Sequence, residues 1–210
     1  MPEPNVPNYV GEAVGIEDIY VAPITKDDET GYTAGATDML APTATMARDT
    51  TTSTKTRYYS NKPLFVDTAE GETKVTLQVP GLTVKKRAEL LGKFFDAAKG
   101  TMIDTGENNA PFYALGFKIN RPDGIEEGIW FLKGRFSIPK EEAQTKTEGI
   151  NEKPLTIEFT AVTTMCKFTV GDKTKSVKAM QGDSSDPKFK VAAANWLKTV
   201  QTPAIAAIGG

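Results

Sequence analysis

Hydrophobic and polar residues alternate one by one through most of this chain, which is the spacing of half-buried β-strands. Over 72–79, Val75, Leu77 and Val79 fall on one side and Lys74, Thr76 and Gln78 on the other. Over 113–120, Tyr113, Leu115, Phe117 and Ile119 alternate with Ala114, Gly116, Lys118 and Asn120. Arg121, Pro122, Asp123 and Gly124 follow as turn residues, so a return strand is expected at about 128–138. Strict alternation places Trp130, Leu132, Phe136 and Ile138 on one face of it, and Ile129, Phe131, Lys133 and Arg135 on the other. A further strand at 154–162 groups Leu155, Ile157, Phe159 and Ala161.

Shorter signals frame these strands. Residues 16–24 are rich in β-branched side chains and Tyr, and predict an opening strand that ends in a charged turn from Lys26 to Gly31. Leu64, Phe65 and Val66 predict a second, short strand. Residues 166–180 read as a last hairpin turning at Gly171 and Asp172.

Helical spacing occurs twice. Thr83 as N-cap, Gly100 as C-terminal stop and the stripe Val84, Ala88, Leu91, Phe95, Ala98 predict a helix over 84–98 packed on a sheet. Its other face carries Lys85, Lys86, Glu89 and Lys93, a solvated basic face. Asp186 followed by Pro187 predicts a short C-terminal helix that buries Phe189, Ala193, Trp196 and Val200. The fold class that follows is mainly β, an antiparallel sandwich or barrel-like body with one packed helix and a short C-terminal helix.

Three stretches lack a core-forming pattern. Residues 1–14 are polar and proline-rich, and are expected to form a flexible N-terminal arm; residues 203–210 are expected to fray. Residues 43–57 are rich in Thr, with almost no apolar face. Alone they bury too little surface to offset their ordering entropy. Two readings stay open: a mobile loop, or a long β-arm that orders on another subunit by strand addition. The residues that would carry such a contact are Arg48, Asp49, Thr51, Lys55, Arg57, Tyr58 and Tyr59.

Composition narrows the chemistry. The 210 residues include no histidine and one cysteine, Cys166. The Ser-His-Asp and Cys-His arrangements are therefore excluded, as are histidine metal ligands, CxxC pairs and an intrachain disulfide. The chain suits a reducing compartment. A net charge of −2 gives no basic footprint for gripping nucleic acid, and it leaves copies free to associate. No apolar run has the length of a membrane span, and the acidic, proline-rich start is unlike a signal peptide.

The remaining motifs read as structure. Gly171, Asp172, Lys173 and Thr174 lack the glycine spacing of a phosphate loop and read as a hairpin turn. Glu126 with Glu127 and Glu141 with Glu142 could supply two carboxylates, but adjacent acids beside turns are usually solvated. Cys166 reads as a small core residue, and Trp130 and Trp196, on apolar stripes, read as core rather than ligand platforms. The sequence thus points to no catalytic residue, cofactor or metal.

The order of segments resembles the major tail protein family of siphophages, chiefly those of Gram-positive hosts. The resemblance rests on 15–24 (GIEDIYVAPI), 58–61 (YYSN), 71–82 (GETKVTLQVPGL) running to 88–92 (AELLG), 111–117 (PFYALGF) and 129–136 (IWFLKGRF). Glu141, Glu142 and Thr145 to Thr147, joined to 155–160 (LTIEFT), complete it. It covers roughly 15–165 and leaves 166–210 outside.

It implies a tail tube domain whose inner sheets fuse into a β-lined channel when six copies close into a ring. Rings stack into a tube through loops and a hairpin arm. The tube surrounds a tape measure protein during assembly, with tail-assembly proteins as further partners. It is part of the virion tail, is assembled in the host cytoplasm, and passes DNA only in transit. A conduit should not grip its cargo, so an absent basic patch fits. The other readings are a head–tail joining, tail-tip or injection-device tube protein, and a β-sandwich carbohydrate-binding module that uses Trp130, Tyr58 or Tyr59.

Overall fold

The structure, a computed structural model, describes residues 11–59, 61–107, 109–140 and 153–205. In chain order the strands are β1 (Gly15–Ile16), β2 (Ile19–Asp28), β3 (Gly31–Ala34), β4 (Asp38–Ala41), β5 (Thr45–Tyr59) and β6 (Lys62–Val79). Helix α1 (Val84–Leu91) follows, then β7 (Phe94–Asp96), β8 (Thr101–Ile103), β9 (Tyr113–Asn120), β10 (Glu126–Lys140) and β11 (Leu155–Ala161). Strands β12 (Lys167–Val170), β13 (Lys173–Ser176) and β14 (Ala179–Asp183) and helix α2 (Pro187–Ala193) complete the fold. It is mainly β, and every strand pair is antiparallel.

One sheet runs β3-β2-β9-β10-β11-β6-β5, with β1 added to β9, β4 to β2 and β14 to β10. The sheet curls until β2 and β6, well apart in strand order, share one core. Ile19 and Val21 of β2 meet Val75, Leu77 and Val79 of β6, the aromatics Phe117, Phe131, Phe136 and Phe159, and Leu90 of α1. The alternation of β11 is kept in full: Leu155, Ile157, Phe159 and Ala161 are buried and the residues between them are half-buried.

The other face of β9 and β10 carries a second core. Ala114, Trp130 and Leu132 are covered there by Tyr32, Cys166, Phe168 and Trp196. Trp130 donates its indole N–H to the carbonyl of Trp196 at 2.8 Å, and Tyr32 donates to the carbonyl of Leu132 at 2.6 Å. The C-terminal segment is thus fixed to the sheet. Trp130 lies flat against Gly116, where a Cβ would come within 2.6 Å of its ring.

A β-bulge corrects the predicted faces of the return strand. Phe131 pairs with Leu115 but Gly134 pairs with Tyr113, so Leu132 and Lys133 together oppose Ala114. The extra residue reverses the alternation. Phe136 therefore joins Ile129 and Phe131 in the first core, away from Trp130 and Leu132. Lys133 is drawn inward, and its ammonium meets Asp27 at 2.5 Å, with side chains 9% and 4% exposed. Asp27 also accepts N–H bonds from Met165 and Cys166. Burial alone would raise its pKa, but the Cys166 amide, Lys133 and the Met165 amide outweigh it and hold the carboxyl below its ordinary value.

The helix over 84–98 is shorter than predicted. Thr83 caps it, accepting from the N–H of Lys86, but it stops at Leu91 because Gly92 takes a left-handed conformation at φ 65°. A Cβ at Gly92 would lie 2.2 Å from the carbonyl oxygen of Asn109, so glycine is required there twice over. Ala88 and Leu90 are buried, Val84 is exposed, and Phe95 lies in the β7–β8 hairpin opposite Met102.

Other boundaries also move. The opening strand divides into β1 and β2, and β2 carries Lys26, Asp27 and Asp28 past the predicted turn, which closes at Glu29 and Thr30. The hairpin expected over 166–180 turns at Gly171 but ends at Ser176, and β14 instead joins β10. Helix α2 begins at Pro187, capped by Asp186, and ends at Ala193, so buried Trp196 lies beyond it. Of the expected N-terminal arm, Gly11 is tied to Asp123 and Arg121, and Val14 to Asn120; residues 1–10 lie outside the described residues. So do Glu141, Glu142 and, of the expected frayed end, 206–210.

Candidate functional site: the projecting hairpin

Within the stretch 43–57, expected as a mobile loop or a long β-arm, residues 45–57 are extended. They lie in β5, paired along its length with β6 of the same chain, from Thr45 opposite Gln78 to Tyr59 opposite Lys62. The short strand expected at 64–66 and the alternating one at 72–79 are both parts of β6.

This hairpin has two halves with different surroundings. Residues 73–79 of β6 are flanked by β11, from Thr73 opposite Ala161 to Val79 opposite Leu155. Beyond Thr73, among the described residues, β6 pairs only with β5. At that point Thr50 pairs with Thr73 and Thr52 with Glu70, so Gly71 and Glu72 bulge opposite Thr51. A bulge adds local twist, and here it stands where the ribbon leaves the sheet. The nine residues from Thr51 to Tyr59 span about 30 Å at the usual strand rise.

Side chains on both faces of the ribbon meet solvent. Its shaft is held by polar cross-strand contacts: Arg57 to Asp67 at 2.8 Å, Thr54 to Thr68 at 3.4 Å, and Thr50 to Thr73 at 3.0 Å at its base. Each such pair contributes a fraction of a kcal/mol to about 1 kcal/mol. The tip is different. Tyr58, Tyr59, Leu64, Phe65 and Val66 are 48–66% exposed. Arg57 lies over the Phe65 ring at 5.1 Å and Tyr59 packs edge-on to it at 6.1 Å, which orders the cluster without covering it. The turn is closed by Asn61 in the left-handed region, φ 59°.

The seven arm candidates all lie on β5. Arg48 and Asp49 sit on the body, opposite Val75 and Lys74; Thr51 faces the bulge; Lys55, Arg57, Tyr58 and Tyr59 lie on the ribbon toward its tip. Sequence reasoning passed over Leu64, Phe65 and Val66 as interaction residues, because a short apolar run reads as a core strand. The long Thr-rich strand immediately before them was the available signal.

Other sequence candidates are bound into the fold. Glu126 pairs with Lys118 at 3.1 Å and Glu127 with Arg121 at 2.5 Å, so these adjacent acids are each neutralised separately. Cys166 is fully buried and its thiol pKa is raised, by burial first and then by the charges of Asp27 and Asp28. Trp130 and Trp196 are 0% and 3% exposed and present no platform to a ligand. Among the described residues, no three metal-ligating side chains converge, and no helix is long and apolar enough to cross a membrane.

No family model matches the chain, and no curated protein matches it in sequence.

Proposed function

We propose that this chain is the tube subunit of a phage tail, a structural protein that polymerises as stacked rings and leaves a conduit for DNA. The observation that carries this reading is the ribbon. A two-stranded hairpin with no sheet beneath it is marginal in water, and an apolar tip on it is an aggregation liability unless another surface receives it. A second copy of the same chain is the simplest receiver. β5 supports ring closure, because its outer edge has no partner among the described residues and offers fifteen residues for pairing.

In this reading the curled sheet forms the wall and the ribbon reaches the adjacent ring. The tape measure protein and tail-assembly proteins meet the finished surfaces, and the virion tail is where the protein resides. The carbohydrate-binding alternative loses Trp130 and Trp196 as platforms, since both serve the second core.

The test is removal of 52–70, joining Thr51 to Gly71 through a short glycine turn. The body keeps both cores, so circular dichroism and the melting transition should stay close to wild type. Wild-type protein should form hollow tubes by negative-stain electron microscopy, and the shortened protein should not. Tubes from the shortened chain, or wild-type protein monomeric at its highest soluble concentration, would sink the proposal.

A further inference from the structure

The chain carries a second exposed apolar surface, on the β7–β8 hairpin. Phe94 and Ile103 stand directly opposite one another across its two strands and are 65% and 46% exposed. Neither belongs to either core. The next pair, Phe95 and Met102, is half-buried, and α1 packs against both strands, so Phe94 and Ile103 form the outward face. Away from the ribbon, this is the one place among the described residues where two large exposed apolar side chains face each other across a strand pair. Such a pair in open water marks a surface that another molecule covers.

The topology sets this hairpin apart from the ribbon of its own chain. β6 comes in from the ribbon, meets β11 at Thr73 and leaves the sheet at Val79, six residues or about 20 Å farther on. Helix α1, β7 and β8 follow from there. They return to β9 at Tyr113, which is level with Thr73 through Gly134 and Ala161. The ribbon extends from that level in the other direction, and the side chains on both of its faces meet solvent, so it is not folded back on the body. Tip and hairpin are therefore both uncovered in one copy.

Their charges are complementary. The outer ribbon carries Lys55, Arg57 and Lys62 against Asp67. The hairpin and the turn after it carry Asp96, Asp104 and Glu107 against Lys99. Lys93 beside them is already engaged, by Asp104 at 2.6 Å and by the carbonyl of Glu107 at 2.8 Å. Opposite charge around two apolar centres favours their encounter and fixes their orientation.

Resting on the tube reading, we propose that the ribbon tip of one copy docks on the β7–β8 hairpin of the next, with Leu64 and Val66 covering Phe94 and Ile103. The cations of the ribbon meet the acids that flank the hairpin. Tip and receiver are different surfaces, so the contact is head-to-tail: it leaves a free tip at one end and a free hairpin at the other, and it propagates.

Paired cysteines test the contact directly. Cys166 is fully buried and does not compete. Lys62→Cys places a thiol at the tip, and Thr101→Cys places one on the same face of β8 as Ile103; both native side chains are exposed. Under mild oxidation the chain with both changes should cross-link into a ladder of dimers, trimers and longer species. Each single change alone should give no cross-link, and an equal mixture of the two should give dimers only. Phe94→Thr/Ile103→Thr alters side chains that already face water and should leave the melting transition unchanged. It should abolish the ladder and raise the critical concentration for tube growth about tenfold or more. No ladder, cross-links from either single change alone, or wild-type tube growth in Phe94→Thr/Ile103→Thr would overturn the docking while the tube reading stands. Wild-type protein that forms no tubes would refute the tube reading, and the ladder would still decide the docking.

Discussion

The apolar tip of the ribbon gives the proposal its sharpest quantitative test. Leu64 and Val66 are 61% and 63% exposed, and neither belongs to either core. Replacing both with Thr keeps β propensity and leaves Phe65, with its contacts to Arg57 and Tyr59, in place. Fully burying a Leu or Val side chain is worth about 2 kcal/mol. Scaled by the exposed fraction, covering these two at an interface contributes roughly 2.5 kcal/mol per subunit added. The double substitution should then raise the critical concentration for tube growth about 60-fold.

That factor is readable by pelleting tubes across a dilution series and measuring the protein left in the supernatant. The folded monomer is the internal control. Both side chains already face water, so its unfolding free energy should move by no more than about 0.5 kcal/mol. A critical concentration equal to wild type would show that the tip is not buried on assembly and would refute the reasoning. An equally large loss of monomer stability would mean that the tip holds the ribbon together instead.

Two further predictions concern the body. Asp27→Asn leaves the Lys133 ammonium buried without its carboxylate and should cost about 3 kcal/mol, measured by denaturant unfolding at neutral pH. Because the folded pKa of Asp27 lies below 3.8, its contribution is present above pH 3.8 and fades as pH falls through the folded value. Wild type and variant should therefore converge in strong acid; a gap that persists there would point to packing instead of charge. Gly92→Ala must hold a left-handed backbone and place a Cβ against the Asn109 carbonyl. It should cost roughly 2–3 kcal/mol and lower the melting temperature by about 5–10 °C; an unchanged melting curve would show that the α1 terminus tolerates a side chain.

The body was legible where a single period governed a strand. The alternation of 155–161 reports directly which side chains are buried, because β11 pairs with β6 without interruption over those residues; over 113–117 every residue is buried, because a core lies on each face of β9. It failed at Lys133, where one extra residue in β10 reverses the faces; the bulge leaves no mark in a pattern of apolar and polar positions. It failed again at Gly92 and Gly100. Both are glycines in the left-handed region, but only Gly92 has the Asn109 backbone against it. That contact is long-range, so the true helix end could not be read from local sequence.

The candidate site was half legible for a related reason. A Thr-rich strand with no apolar face signals that it does not cover a core, and the seven β5 residues were picked out on that ground. Its partner was missed because β6 changes character along its length. Val75, Leu77 and Val79 are core, while Leu64, Phe65 and Val66 are the same kinds of side chain in open solvent. Hydrophobicity alone cannot separate a strand end that a sheet covers from one that a neighbour covers. What separates them is where β11 stops, at Ala161 opposite Thr73, and that is set by strand pairing between residues almost ninety positions apart. The ribbon is thus defined less by its own sequence than by the end of its neighbour. Lengthening β11 past Ala161 would give the base of the ribbon a partner strand. A single pairing boundary therefore sets where the ribbon through which copies of this chain are proposed to meet begins.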